Sequence, residues 1–174
     1  MPILLARGDI TRVVADAIVN AANAELRPGG GVCGAIHAAA GPRLAQASAE
    51  YRREHGSLLP GQTAITPGFE LPARFVIHAL GPVWHGGTTG EATALASAYR
   101  NSIELADTHE LTSVAFPSIS TGVFGYPVEL AAPVAIGAAA EALEGARHVR
   151  DVTFVLFDQA TYVAYERALR ERDG

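Results

Sequence analysis

One cysteine in 174 residues excludes an internal disulfide and a cysteine-rich zinc site, and points to a reducing compartment. A metal would need His and carboxylate ligands, and no spacing of these types suggests one, so neither metal nor cofactor is expected. There is no basic stripe: 13 Arg and Lys against 18 Asp and Glu give a net charge of −5. The pI is near 5.6, which argues against a general nucleic-acid-binding patch. No window is apolar for the length a bilayer requires, and the start, MPILLARGDI, lacks the pattern of a secretory leader. No membrane association and a cytoplasmic location are therefore expected. The P-loop pattern GxxxxGK[ST] is missing, as are internal repeats, low-complexity tracts and linkers. What remains is 49% hydrophobic and 18% charged residues, enough for one core, so residues 1–174 are expected to form a single domain that acts as a monomer.

Glycine and proline punctuate the chain into alternating strands and helices. Ile3–Ala6, Asp16–Asn20, Thr63–Thr66, Phe75–Leu80, Ser113–Phe116 and Asp151–Phe157 read as strands, the fourth being an almost continuous apolar run of the kind covered on both faces. Helices are predicted over Val32–Ala40, Arg43–His55, Thr88–Asp107, Val128–Leu143 and Thr161–Arg170. On the third of these, Glu91, Arg100 and Glu104 read as a solvated face. Such alternation with short connections implies an α/β fold whose sheet is mostly parallel with helices on both faces, and ligands in such sheets bind beyond the carboxyl ends of the strands.

Three candidate features fall at that edge. The first is Asn20–Pro42, NAANAELRPGGGVCGAIHAAAGP: amides at a strand end, then Gly29, Gly30 and Gly31 before a helix start. Glycines let backbone N–H groups converge, and a helix N-terminus adds free donors and partial positive charge, so an anion, as of a phosphorylated sugar, belongs there. The second, Pro117–Pro127, repeats this logic with hydroxyls, Gly122 and Gly125 between a strand and a helix. The third is Asp9 after the first strand. Locally it reads as an N-cap; the functional alternative is a carboxylate accepting from an amino group such as that of adenine. His78, inside a strand with no acidic neighbour in sequence, reads as a hydrogen-bonded core histidine.

GDIT at Gly8–Thr11, DAIVNAAN at Asp16–Asn23, GGGV-x-GAIH-x-AAGP at Gly29–Pro42, VIHALGPVW at Val76–Trp84 and PSISTGVFGYP at Pro117–Pro127 resemble, in this order and over nearly the whole chain, the macrodomains of the MacroD type. The resemblance implies a three-layer α/β/α sandwich with a mixed sheet of about six strands, and ADP-ribose as ligand. It implies that Asp9 accepts from the adenine amino group, with the Ile10 backbone against the ring and Phe157 as an adenine neighbour. Gly30, Gly31 and Val32 would form the first diphosphate loop, and Ser120, Thr121, Gly122, Val123, Phe124 and Gly125 the second. Asn20 and Asn23 would face the ligand, Asn23 holding the distal ribose by its hydroxyls beside Phe124. Backbone donors suit a diphosphate without Lys or Arg, so an acidic chain is no objection.

The chain departs from this pattern at Cys33, where active members usually carry an aspartate thought to orient or activate water. Cysteine is no carboxylate base and its thiol accepts hydrogen bonds poorly. His37 lies one turn on along the same helix face, though a packed or capping histidine is the preferred reading. Two functions follow from the resemblance. One is a hydrolase that removes mono-ADP-ribose from protein or nucleic-acid acceptors, or the acyl group from O-acyl-ADP-ribose, with Asn23 and Cys33 as the catalytic candidates. The other is a module that binds ADP-ribose without turnover. Hydrolysis of an ADP-ribose 1″-phosphate is the weaker third, since no phosphate-attacking group stands out.

Overall fold

The computed structural model describes residues 3–174. Six strands form one sheet: β1 (Ile3–Arg7), β2 (Ala17–Ala21), β3 (Thr63–Pro67), β4 (Phe75–Ala79), β5 (Ser113–Phe116) and β6 (Asp151–Leu156). Their order is β1-β6-β5-β2-β4-β3, with every neighbouring pair parallel except β3 against β4. The mixed, mostly parallel sheet expected from the sequence is thus what forms. β2, central and apolar, has its first four residues buried, whereas β3 alternates buried and partly exposed residues and ends at Pro67, as an edge strand should.

Five helices flank the sheet: α1 (Gly31–Ala40), α2 (Pro42–His55), α3 (Glu91–Thr108), α4 (Val128–Gly145) and α5 (Gln159–Asp173). α1 and α2 cover one face, where Ile36, Ala40 and Leu44 pack on Ile18 and Val76. α3, α4 and α5 cover the other, through Leu95, Tyr99, Ala135, Ile136 and Tyr165 on Val19, Ile77, Phe116 and Phe154. Alanines on the buried side of α4 let it approach closely. Four rings, Tyr99, Phe116, Phe154 and Tyr165, lie with centroids 5.2–5.7 Å apart, and such pairs contribute about 0.5–1.5 kcal/mol each beyond area burial. Their two hydroxyls hold the loop after β5 from below: Tyr99 Oη accepts from the Ile119 N–H at 2.8 Å, and Tyr165 donates to Ser118 Oγ at 2.9 Å.

α3 starts at Glu91, not at Thr88, and Glu91 is no part of a solvated face. Gly90 takes a left-handed φ of 82° and breaks the helix there, while the Glu91 carboxylate, 2% exposed, turns back on the loop before it. It accepts from the N–H groups of His85, Gly87 and Thr89 and from the Thr89 hydroxyl, at 2.8–2.9 Å. Burial pushes its pKa up, but these donors outweigh it and hold the group at about 2. Its signal was an acidic residue in the first turn after a glycine-rich loop, where free N–H groups gather.

Candidate functional site

The carboxyl ends of β1, β6, β5 and β2 are consecutive along one sheet edge, and each sequence-predicted feature leaves from one of them. At β1, the Asp9 carboxylate caps a 3-10 turn, Ile10–Arg12: Oδ1 accepts from the Thr11 N–H at 2.9 Å and from its hydroxyl at 2.6 Å. These bonds, the hydroxyl's foremost, lower its pKa. The local capping reading therefore describes Oδ1, while Oδ2 makes no hydrogen bond among the described residues. The Ile10 side chain is buried in the core, which leaves only its backbone for a ligand. Next along the edge, Phe157 follows β6 and is 82% exposed; Leu156 pairs with Arg7, so Phe157 and Asp9 emerge side by side.

β5 feeds the second glycine loop. Ser120 sits at φ +69°, and the N–H groups of Gly125 and Tyr126 bond back to the Gly122 and Ser120 carbonyls at 3.0 Å, curling the loop. The N–H groups of Thr121, Gly122, Val123 and Phe124 have no acceptor among the described residues. Val123 is exposed and Phe124 half-buried, packed against the cluster of Ala22, Leu26, Leu58, Ala64 and Leu80. Two members of that cluster, Ala22 and Leu26, belong to the stretch that leads into the first glycine loop.

β2 feeds the first loop. The Asn23 side chain closes its first turn on itself: Nδ2 donates to the Arg27 carbonyl at 2.8 Å and Oδ1 accepts from the Arg27 N–H at 3.0 Å. Each amide atom keeps one further hydrogen-bonding position. Gly29, Gly31 and Gly34 carry the spacing G-x-G-x-x-G. Gly31 is at φ +55°, and a Cβ on Gly34 would lie 2.4 Å from the Gly29 carbonyl oxygen, so the loop doubles back on the helix only because both are glycine. The first backbone bond of α1 runs from Gly34 N–H to the Gly30 carbonyl, leaving the N–H groups of Gly31, Val32 and Cys33 at the helix start without helical acceptors.

Cys33 and Asn20 lie deeper. Cys33 is 6% exposed and Asn20 1%, so Asn20 stands behind the wall of the site rather than on it. The Cys33 thiol donates to the Arg27 carbonyl at 3.6 Å and accepts from Asn20 Nδ2 at 3.7 Å. Asn20 Nδ2 also meets His78 Nδ1 at 3.2 Å, and His78 Nε2 meets Thr66 Oγ1 at 3.0 Å. His78 is thus the hydrogen-bonded core histidine the sequence suggested. His37 is buried, and among the described residues its Nδ1 has no partner and it does not bond Cys33. No group of three or more metal-ligating side chains occurs among the described residues.

Burial, helped by nearby His37, pushes the His78 pKa from 6.5 down to about 3, and burial lowers that of His37. His78 stays neutral in the folded chain until the pH nears 3, and both histidines take a proton more readily when unfolded. Stability is therefore full above pH 6.5 and is lost as pH falls from there toward 3. Between pH 6.5 and 5, before carboxylates titrate, urea unfolding should show ΔG falling by about 1 kcal/mol per pH unit. His78→Gln should leave only the share due to His37; an unchanged slope would contradict this.

The layout runs aromatic ring and carboxylate, then two N–H-rich loops, then an amide, over three interstrand steps of about 4.8 Å, roughly 14 Å in all. That suits an extended ligand with a base at one end, an anion in the middle and hydroxyls at the other. The chain has no lysine, its 13 cations being arginine. A depression of about 480 Å³ adjoins Asp9 but runs under the 3-10 turn, past Arg12, Val13, Ser113 and Thr153, and includes none of the loop residues.

The Macro domain family matches residues 19–135. A macro domain-containing protein of Chlorobaculum tepidum is 53% identical over 163 residues, covering 94% of this chain and 92% of the relative. An O-acetyl-ADP-ribose deacetylase of Enterobacter cloacae is 48% identical over 165 residues, 95% of this chain and 92% of that protein. Among solved structures, an Oceanobacillus iheyensis macrodomain variant with ADPR superposes with a TM-score of 0.93 at 42% identity, covering 97% of this chain and 92% of that one. The Trypanosoma brucei macrodomain in complex with ADP-ribose gives 0.88 at 38%, over 96% and 68%. Matched along almost its whole length in sequence and in fold, the chain belongs to the macrodomain family.

Proposed function

We propose that this chain binds ADP-ribose along the carboxyl edge of the sheet and hydrolyses bonds at its distal ribose: the ester of O-acetyl-ADP-ribose, and the link of mono-ADP-ribose to protein or nucleic-acid acceptors. The observation that carries the reading is the pair of glycine loops on one sheet edge whose N–H groups lack acceptors among the described residues, with Phe157 one strand and Asp9 two strands from the second of them. In this reading Asp9 and Phe157 take adenine, Gly30–Val32 and Ser120–Gly125 take the diphosphate, and Asn23 takes the ribose beside Phe124. The names of the relatives support the ester reaction.

Cys33 is placed as a spacer rather than an acid or base, because its proton is committed to the Arg27 carbonyl and a thiolate there would face that oxygen. A diphosphate oxygen of the substrate accepts a proton from water as the water oxygen attacks. For the ester, the acyl C–O bond breaks, the ribose oxygen takes up a proton, and acetate leaves. The second reading, a binding module without turnover, draws on the same residue, since Cys33 stands where a carboxylate would orient water.

Calorimetry on the native chain should give a micromolar Kd for ADP-ribose, about −7 to −8 kcal/mol, and much weaker binding of AMP. Incubation with O-acetyl-ADP-ribose and with mono-ADP-ribosylated protein, DNA and RNA should release acetate or ADP-ribose. Absence of heat and of a thermal shift would end both readings. Binding with every substrate left intact would select the binding module.

A further inference from the structure

From Thr66 on the edge strand to Asn23 at the sheet edge there runs one unbroken line of hydrogen bonds through the buried side of the α1 face. Its links are Thr66 Oγ1 to His78 Nε2 at 3.0 Å, His78 Nδ1 to Asn20 Nδ2 at 3.2 Å, and Asn20 Nδ2 to Cys33 Sγ at 3.7 Å. From there Cys33 Sγ reaches the Arg27 carbonyl at 3.6 Å, and that same carbonyl takes Asn23 Nδ2 at 2.8 Å. We propose that His78 is a positioning residue: held between the Thr66 hydroxyl at Nε2 and the Asn20 amide at Nδ1, its ring fixes that amide, and through Cys33 and the Arg27 carbonyl the orientation of Asn23.

The directions of the bonds make the line behave as one unit. Asn20 Nδ2 is a donor only, so His78 Nδ1 carries the lone pair and Nε2–H donates to Thr66. With two hydrogens, Nδ2 serves His78 and the Cys33 sulfur together. The sulfur, its lone pair engaged, turns its own proton to Arg27. Asn20 Oδ1 has no partner among the described residues although Asn20 is 1% exposed, so none of them competes on the oxygen side of the amide to hold it. Only the histidine and the thiol determine which way the amide faces. Reverse the tautomer, and Nδ1–H would oppose Nδ2. The amide would flip and offer Oδ1 to Cys33, the thiol proton would leave Arg27, and the turn closed by Asn23 would lose one of its ties.

The proposal rests on the reading of Asn23 as the ribose-holding residue, and the experiment separates the two. Thr66→Val removes the acceptor of Nε2–H while keeping the β-branched shape of an edge-strand residue. His78→Gln keeps an acceptor and a donor, and His78→Leu keeps neither. In ¹⁵N-labelled protein the native ring should show Nε2 protonated and Nδ1 bare. Thr66→Val should reverse this and shift the Asn23 side-chain amide resonances, and His78→Gln should leave those resonances near native.

On turnover of O-acetyl-ADP-ribose, Thr66→Val and His78→Leu should lower kcat by about tenfold or more with the ADP-ribose Kd nearly unchanged, and His78→Gln should recover most of it. A native ring protonated at Nδ1, or Asn23 resonances unmoved in a folded Thr66→Val protein, overturns the proposal. So does a fall in kcat matched by an equal loss of affinity, which would mark general damage. If the native chain proves to turn over no substrate, the hydrolase reading fails by itself, and the resonance shifts still decide the line from Thr66 to Asn23.

Discussion

Gly122→Val is expected to fold as the native chain does and to lose ADP-ribose, with Kd rising at least 100-fold, about 3 kcal/mol. Two facts make this substitution cleaner than others in the loops. A Cβ built on Gly122 meets no atom within 4 Å, and its φ lies outside the left-handed region, so the folded protein should accept a branched side chain. Unfolded, the variant has fewer conformations than glycine allows, which offsets any small cost. The new methyl groups would stand among the N–H groups of Thr121, Gly122, Val123 and Phe124, in the space proposed for the diphosphate. Gly31→Val should also abolish binding, but its φ of +55° adds backbone strain to the blockage. Gly122→Val therefore separates ligand exclusion from damage. Thermal melts should coincide with native while calorimetry falls silent, and native affinity in the folded variant would remove the second loop from the site.

The part of this architecture legible in sequence was the part written in local signals. Gly41-Pro42 and Pro67-Gly68 mark where a helix and a strand stop, and the resulting boundaries agree with the structure to a few residues. The strand order is another matter: β6 entering between β5 and β1 requires it to pair with a strand more than a hundred residues away, Ile3 with Val152, which no local pattern carries. The same distance hid the partners of the site. That the Cys33 sulfur lies between Asn20 and the Arg27 carbonyl depends on how α1 docks on β2, and that Thr66 meets His78 depends on the antiparallel register pairing Ala64 with His78. Asn20 looked like a second ligand-facing amide because the sequence puts it three residues from Asn23. The pleat turns it toward the core.

Asn23 and Cys33 divide the possible mechanisms, and here the largest changes in turnover are expected. Asn23→Ala should lower kcat by about 100-fold or more while ADP-ribose affinity changes far less, the signature of a contact that matters mainly in the transition state. Part of that loss would come from the turn itself, since the side chain is bonded twice to the Arg27 backbone. Asn23→Asp, which can still accept from the Arg27 N–H, separates the two contributions. If Cys33 only spaces the loop, Cys33→Ser should stay close to native, because a hydroxyl can make both bonds of the thiol, and Cys33→Ala should keep a measurable share of activity. A thiolate nucleophile requires the opposite: both substitutions would collapse turnover, and iodoacetamide would inactivate the native protein unless ADP-ribose were bound. The geometry favours the first outcome, because the thiol is buried, its proton points at a carbonyl oxygen, and His37 on the same helix does not bond it. Should the native chain bind ADP-ribose and leave every substrate intact, Cys33→Asp becomes the decisive variant. An aspartate at this position would accept from Asn20 Nδ2 and present a second oxygen to water, so turnover gained by that change would identify the native protein as a binding module that lost its carboxylate.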